Sequence, residues 1–345
     1  MQNAQDDHRQ GEYRSSLTPP RVGIVVLNWN DSTKTSTCLH SIKNIDYKNY
    51  FAVVLDNGST QVGFAEIEHD FPEIICIRSE INLGFAGGMN VLMRRAFGSG
   101  AEFVWMLNSD AISKPDTLSR LIDAAMLTPH IGLASPLIGD SGRPGVFQIA
   151  GGMIADDGCS LQVTPSPEQG KQWQEIFPDR IAIVGTAALY SRDAFFQLGG
   201  FDEKLFAYNE DVDLSIRCCR AGFRNIYAFD VSVVHETKTK DAGGQVAPHV
   251  SYYMSRNKIF LQKKYNGNVA FIKAALWELS IRLNEIKKFD LYRKSPLVAQ
   301  AMLAGIWDGL RLRGGEYSQQ RSMPLIPRLA LRALGPLILK VLQAI

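Results

Sequence analysis

VGIVVLNWN, residues 22–30, reads as a buried strand that ends at once in a polar tip: six residues without a charge, then Asn28, Trp29 and Asn30. A run with no polar alternation suits a strand covered on both faces, as in a parallel sheet. The type repeats at 51–55 (FAVVL), 74–77 (IICI) and 103–107 (FVWML). Between these runs, residues 32–45, 88–97 and 115–127 carry helical patterns, the last with Pro115 in its first turn and Asp116 close behind. Alternation of this kind predicts an α/β chain whose mostly parallel, Rossmann-like sheet is flanked by helices.

Three of the strands end in polar clusters: Asn28-Trp29-Asn30, Asp56-Asn57-Gly58-Ser59 and Asn108-Ser109-Asp110. Ligands of open α/β sheets lie beyond the carboxyl ends of the strands, so the three clusters are expected to converge on one site. Asp56 either caps its turn through an Asx hydrogen bond or offers its carboxylate to the imide N–H of a pyrimidine base. The stretch from Asn82 to Asn90, NLGFAGGMN, leads from a loop into a helix. Gly84 and Gly87 in it either let backbone amides reach a phosphate or ribose, or serve only a close-packed turn. Asp110 is a candidate ligand for a hard cation bridging a diphosphate, since Mg²⁺ or Mn²⁺ needs only one or two protein carboxylates; its alternative is a helix N-cap.

Residues 139–179 are rich in Gly, Pro and Ser and read as loops and short strands. A strand is expected at 181–190, a short helix from Arg192, a turn at Gly199-Gly200, a helix at 210–221, and one or two strands at 226–234 running to His235. Glu210-Asp211-Val212-Asp213 crowds three carboxylates at a helix start, where the dipole alone accounts for them. Crowding also raises proton affinity, as a general base requires. Asp213 can pair with Arg217 four residues on, which leaves Asp211 as the candidate base. His235 is either a metal ligand or a capped core histidine.

These segments, in this order across residues 22–236, resemble the inverting family 2 glycosyltransferases, and most closely the bacterial rhamnosyltransferase-like branch. The resemblance rests on VVLNWN (25–30), DNGS (56–59), residues 82–90, LNSD (107–110), GGFDE (199–203) and EDVDL (210–214). It implies a GT-A fold and a nucleotide-sugar donor carrying dTDP or UDP, best assigned as dTDP-rhamnose, with a UDP-hexose as the alternative. It further implies Asp56 on the base, Asp110 on the metal and diphosphate, Asp211 as catalytic base and His235 as a further metal or phosphate ligand. Asn28, Asn30, Asn57, Asn82, Gly84, Gly87, Asn90, Asn108, Ser109 and Glu210 complete the expected donor site. Asn108 stands where the wider family commonly has the first acid of a DxD pair, which removes one carboxylate from the metal site. The implied acceptor is a glycan or lipid-linked glycan of cell-surface polysaccharide synthesis.

Composition agrees with a globular enzyme: 345 residues, 46% hydrophobic and 21% charged. The net charge of +2 conceals an asymmetry, because residues 256–345 hold 16 Lys/Arg against 5 Asp/Glu. A polar tail at 1–20, a catalytic domain at 21–250 and a basic helical extension at 251–345 are therefore expected. Within the extension, residues 321–345 have four cations, no acid and many Leu/Ile, which suits either a helix on an anionic membrane surface or a helix packed on its own domain or a second subunit. Five cysteines without CxxC spacing and no signal peptide predict a reducing, cytoplasmic setting, and the basic extension a peripheral place on the inner face of the plasma membrane. No nucleic-acid partner is expected. A nicotinamide oxidoreductase is disfavoured because no glycine follows the first strand, and a nucleotidyltransferase because residues 28–34 contain no Gly-rich basic loop. A non-catalytic nucleotide-sugar-binding relative stays open.

Overall fold

The computed structural model describes residues 18–236 and 246–324. It opens with β1 (Val22–Asn28), α1 (Ser32–Lys43), β2 (Tyr50–Asn57), α2 (Phe64–Asp70), β3 (Ile75–Ser79), α3 (Gly84–Gly98) and β4 (Phe103–Asn108). The four strands pair in parallel in the order β3-β2-β1-β4. Asn28 lies in register with Asp56, and Leu27 with Asn108, so parallel pairing brings three polar tips to one edge. Val25, Val53, Leu55 and Val104 pack on one face against Met89, Leu92 and Ala96 of α3. Val22, Ile24, Val26 and Val54 pack on the other against Leu39, Ile42, Phe64 and Ile67. Double coverage is why these strands carry no polar alternation.

The chain continues through β5 (Ala111–Ile112), α4 (Thr117–Met126), β6 (Ile131–Asp140), β7 (Phe147–Ile149), β8 (Gly151–Ile154), β9 (Leu161–Thr164), α5 (Pro167–Ile176), β10 (Ala187–Ser191), α6 (Arg192–Leu198), α7 (Glu210–Arg220) and β11 (Arg224–His235). β10 enters antiparallel between β4 and β6, β6 pairs parallel with β11, and β5 closes the edge against β11. The α/β architecture is the GT-A arrangement, a mixed sheet flanked by helices. Two expectations need adjusting. The apolar run at 181–190 forms a sheet strand only from Ala187, because residues 183–186 turn away beneath α7, where Ile183 N–H donates to Ser215 Oγ. The expected helix at 88–97 begins four residues earlier, at Gly84.

A helical unit follows: α8 (Pro248–Lys288), broken at Gly267, then α9 (Leu291–Lys294) and α10 (Pro296–Leu310). The first half of α8 packs Phe260 and Leu261 on Val212 and Ile216 of α7, while its second half shares a core with α10 through Leu279, Leu303 and Ile306. Among the described residues, no helix is long and apolar enough to cross a membrane. Residues 1–17 of the expected tail and 325–345 of the expected amphipathic segment lie outside the described residues.

Candidate functional site

The tips of β1 and β2 are joined by side chains. Asn28 Nδ2 donates to Asp56 Oδ1 at 3.0 Å, and Ser59 Oγ donates to the same oxygen. Thr35 Oγ1 donates to Asn28 Oδ1 at 2.7 Å, which fixes the amide's orientation. Asn30 Oδ1 accepts from the amides of Thr60 and Gln61. Asp56 therefore has one carboxylate oxygen engaged in closing its own turn, the capping role expected of a strand-end aspartate. Asn57 reaches sideways: its Nδ2 donates to Asn82 Oδ1 and to the Gly84 carbonyl, and its Oδ1 accepts from Leu83 N–H.

The start of α3 is closed rather than open to an anion. Leu83 N–H goes to Asn57, Gly84 N–H to Asn82 Oδ1 at 2.9 Å, and Ala86 N–H to the Phe206 carbonyl at 3.0 Å. Three of the amides that a phosphate would use already have protein acceptors. The glycines answer to packing instead: Gly84 has φ +73°, and a Cβ on Gly88 would stand 2.3 Å from Leu27 Cδ1. A Cβ on Gly87 would meet Leu83 Cβ at 3.1 Å. Asn90, expected at the donor, is buried and clamps the turn before α7, donating to the Phe201 carbonyl and accepting from Phe201 N–H. Gly87 and Asn90 thus hold the site's walls and do not line its cleft.

The four-residue acidic run divides by role. Asp213 is fully shielded and accepts from Arg217 Nε at 2.9 Å, Lys264 Nζ at 2.6 Å and Tyr265 Oη at 2.7 Å, tying α7 to α8. Asp211 faces the cleft, with Oδ2 accepting from Gly185 N–H at 3.0 Å and Oδ1 from Val212 N–H at 2.8 Å. Burial raises the Asp211 carboxyl above its ordinary range, and those backbone donors pull it back. Burial first, and the neighbouring Asp211 charge second, push Glu210 well above the ordinary range. Among the described residues, Glu210 Oε2 has no hydrogen-bond partner.

Asp110 and His235 meet across the sheet edge, with Asp110 Oδ1 3.1 Å from His235 Nε2. Pairing of β5 with β11 makes the contact, and Glu236 N–H donates to the Asp110 carbonyl. His235 Nδ1 also sits 3.1 Å from Gln148 Oε1. One carboxylate and one imidazole suit a divalent ion that takes its remaining ligands from a diphosphate and water. Among the described residues, no group of three or more His, Cys, Asp or Glu is placed to hold an ion without such help.

A cleft of about 790 Å³ gathers Asn57, Asn82, Gly84, Asn108, Glu210 and Asp211 from four separated segments. Ser109 and Asp110 line a neighbouring cavity of about 150 Å³ with Lys34 and Glu236. The two are joined by the β4 tip, where Asn108 N–H donates to the carbonyl of Thr186, a cleft residue. Asn28, Asn30 and Asp56 line neither cavity; they are tied together through Ser59 beside Asn57. Sequence reasoning did not reach Arg256 and Asn257 on α8. Asn257 Nδ2 donates to the carbonyls of Leu205, Ala207 and Tyr208, and Arg256 to those of Lys204, Leu205 and Gly315. The available signal was the stretch Tyr252-Tyr253-Met254-Ser255-Arg256-Asn257, which sets an Arg-Asn pair one helical turn after two tyrosines.

Comparison with known proteins agrees with this architecture. Residues 23–199 match the model of glycosyl transferase family 2. N-acetylglucosaminyl-diphospho-decaprenol L-rhamnosyltransferase of Mycobacterium tuberculosis is 28% identical over 262 residues, 71% of this chain and 85% of that protein. Galactofuranosyltransferase GlfT1 of Mycolicibacterium smegmatis is 24% identical, covering 85% of this chain and 95% of its own. Among solved structures, the mannosyltransferase PcManGT of Pyrobaculum calidifontis, in complex with GDP-Man and Mn²⁺, superposes with a TM-score of 0.52 at 17% identity, covering 93% of this chain and 81% of that one.

Proposed function

We propose a donor, an acceptor and a catalytic base for this chain, which belongs to glycosyl transferase family 2. The chain moves a sugar, best assigned as rhamnose from dTDP-rhamnose, onto a hydroxyl of a lipid-linked saccharide, as the name of its mycobacterial relative suggests. One observation carries the reading: the half-buried Asp211 carboxylate, held by the Gly185 and Val212 amides, faces a cleft that is also lined by Asn57, Asn82 and Asn108. Asp211 takes the acceptor's proton as that oxygen attacks the anomeric carbon, and the bond from carbon to diphosphate oxygen breaks with its electrons leaving on dTDP. A single displacement inverts the anomeric centre. Asp110 and His235 would hold a Mg²⁺ or Mn²⁺ ion, which would supply charge neutralisation for a diphosphate leaving group. The Asp56 edge takes the pyrimidine, and the wall that Asn57 and Asn82 brace by their mutual hydrogen bond holds the donor in position.

A lipid-linked acceptor places the enzyme at the cytoplasmic face of a membrane. The second half of α8 offers Val269, Ile272 and Trp277, all exposed, together with Lys273, Lys287 and Lys288 for an anionic surface. The second reading, a UDP-hexose donor, takes its support from the galactofuranosyltransferase relative. A thermal-shift screen with Mn²⁺ separates the two, using dTDP-rhamnose, UDP-galactose, UDP-glucose and GDP-mannose. The dTDP sugar should stabilise most and GDP-mannose not at all. Equal stabilisation by GDP-mannose removes the role given to Asp56, and stabilisation by none of the four removes the transferase.

A further inference from the structure

Three non-glycine residues just before α7 have left-handed backbones: Phe206 (φ 63°), Tyr208 (φ 68°) and Asn209 (φ 67°). Side chains are disfavoured there, and such clusters persist only where surrounding contacts impose them. Here Asn257 and Arg256 impose them, since their donors occupy the carbonyls of residues 204, 205, 207 and 208. The result is an aromatic shelf. Phe206 stacks on Tyr253 with ring centres 5.5 Å apart and planes at 16°, and Tyr208 lies 6.3 Å from Tyr253 at 24°. All three rings line the same cleft as Asp211, which follows Tyr208 by only three residues. The Phe206 carbonyl also accepts from Ala86 N–H, so the shelf is braced against α3, on the Asn82 and Gly84 side.

We infer that Phe206 and Tyr208, backed by the buried Tyr253, form the acceptor subsite, receiving the C–H face of a pyranose ring whose hydroxyl then meets Asp211, with Arg256 and Asn257 as positioning residues. The inference rests on the transferase reading above and adds the place where the acceptor sugar docks and the residues that hold it. Flat rings beside one carboxylate match a sugar, which has an apolar C–H face and hydroxyls at its edge. A phosphate or a peptide carboxylate would gain nothing from the rings and would meet Asp211 with like charge.

Tyr208→Gly is the decisive variant, because glycine tolerates φ 68° and the ring is lost without added backbone strain. Three quantities are measured: dTDP affinity, donor hydrolysis with water as acceptor, and transfer to a synthetic N-acetylglucosaminyl-diphospho-prenol. Loss of one stacked ring should raise the acceptor KM about tenfold, with dTDP affinity and hydrolysis within about twofold, while Tyr208→Phe stays near wild type. Asn257→Ala should raise the same KM with dTDP affinity unchanged; a parallel loss of both marks a purely structural residue. An unchanged acceptor KM in Tyr208→Gly, or no saturable use of the probe by wild-type protein that hydrolyses donor, overturns the subsite alone. Failure of wild-type protein to cleave any nucleotide sugar overturns the transferase reading instead.

Discussion

Asp213→Ala should unfold the protein far more easily, whereas Asp211→Asn, two residues away, should leave its stability nearly untouched. Asp213 is fully shielded and accepts three hydrogen bonds, from Arg217, Lys264 and Tyr265. A hydrogen bond to a charged group contributes about 1.5–3 kcal/mol, so a simple sum would reach roughly 4.5–9 kcal/mol. Two facts reduce it. Lys264 is 36% exposed and retains Asp202 at 2.9 Å, so solvent screening discounts its share. Arg217 retains the carbonyls of Leu198 and Gly200. The expected loss is about 3–5 kcal/mol, the range for removing one partner of a buried ion pair. At roughly 2–4 °C per kcal/mol for a large domain, Tm should fall by on the order of 10 °C. Asp211 differs because the isosteric amide gives up one backbone hydrogen bond, from Gly185 or Val212, while it relieves a carboxylate that burial disfavours, and the two effects offset each other. Urea unfolding followed by tryptophan fluorescence measures both variants. A loss below about 1 kcal/mol for Asp213→Ala, or an equal loss for Asp211→Asn, would refute the division of roles within this run.

Glu210→Gln should stabilise the protein at neutral pH and not in acid. The folded-state affinity of Glu210 for its proton is raised, so its favourable contribution is complete below the ordinary carboxylate range and is lost as pH rises from there toward the raised value. The Tm difference between variant and wild type should therefore grow over that window; a difference independent of pH would contradict it. Asp110→Ala should weaken dTDP binding in Mn²⁺ but not in EDTA, measured by calorimetry, and equal weakening in both would detach Asp110 from the metal. Reversing Lys287 and Lys288 to Glu should reduce co-sedimentation with vesicles containing anionic lipid while leaving neutral vesicles unaffected, and no change would remove that face from membrane contact.

β1, β2 and β4 were readable because each is covered on both faces and so shows an uninterrupted apolar run, whereas the half-buried edge strand β3 was readable from its short apolar run alone. β6 was not, because Gly132, Ser135, Pro136 and Gly139 break its run, and its place is fixed by partners far along the chain, β10 and β11. Convergence of the strand tips followed from the parallel arrangement alone. The pairing of Asp213 with Arg217 was readable from a spacing of four on one helix. What short-range pattern could not supply is which groups fill a hydrogen bond across the fold. The amides opening α3 looked available to a phosphate because their acceptors, Asn57 and Phe206, lie in other segments. Arg256 and Asn257 looked like an ordinary polar pair because the carbonyls they hold are about 50 residues upstream. Of the expected residues, Asn57, Asn108, Glu210 and Asp211 line the cleft and Asp56 and Asp110 do not, while the loop that shapes its aromatic wall was hidden from the sequence.

The proposed transfer depends most on Asp211 taking the acceptor's proton and not merely supporting the fold. Transfer from dTDP-rhamnose in Mn²⁺ should fall by about 10²–10⁴-fold in Asp211→Asn, as for loss of a general base, with dTDP affinity within about threefold of wild type. A variant that keeps its transfer rate, or one that loses dTDP binding along with activity, would contradict it.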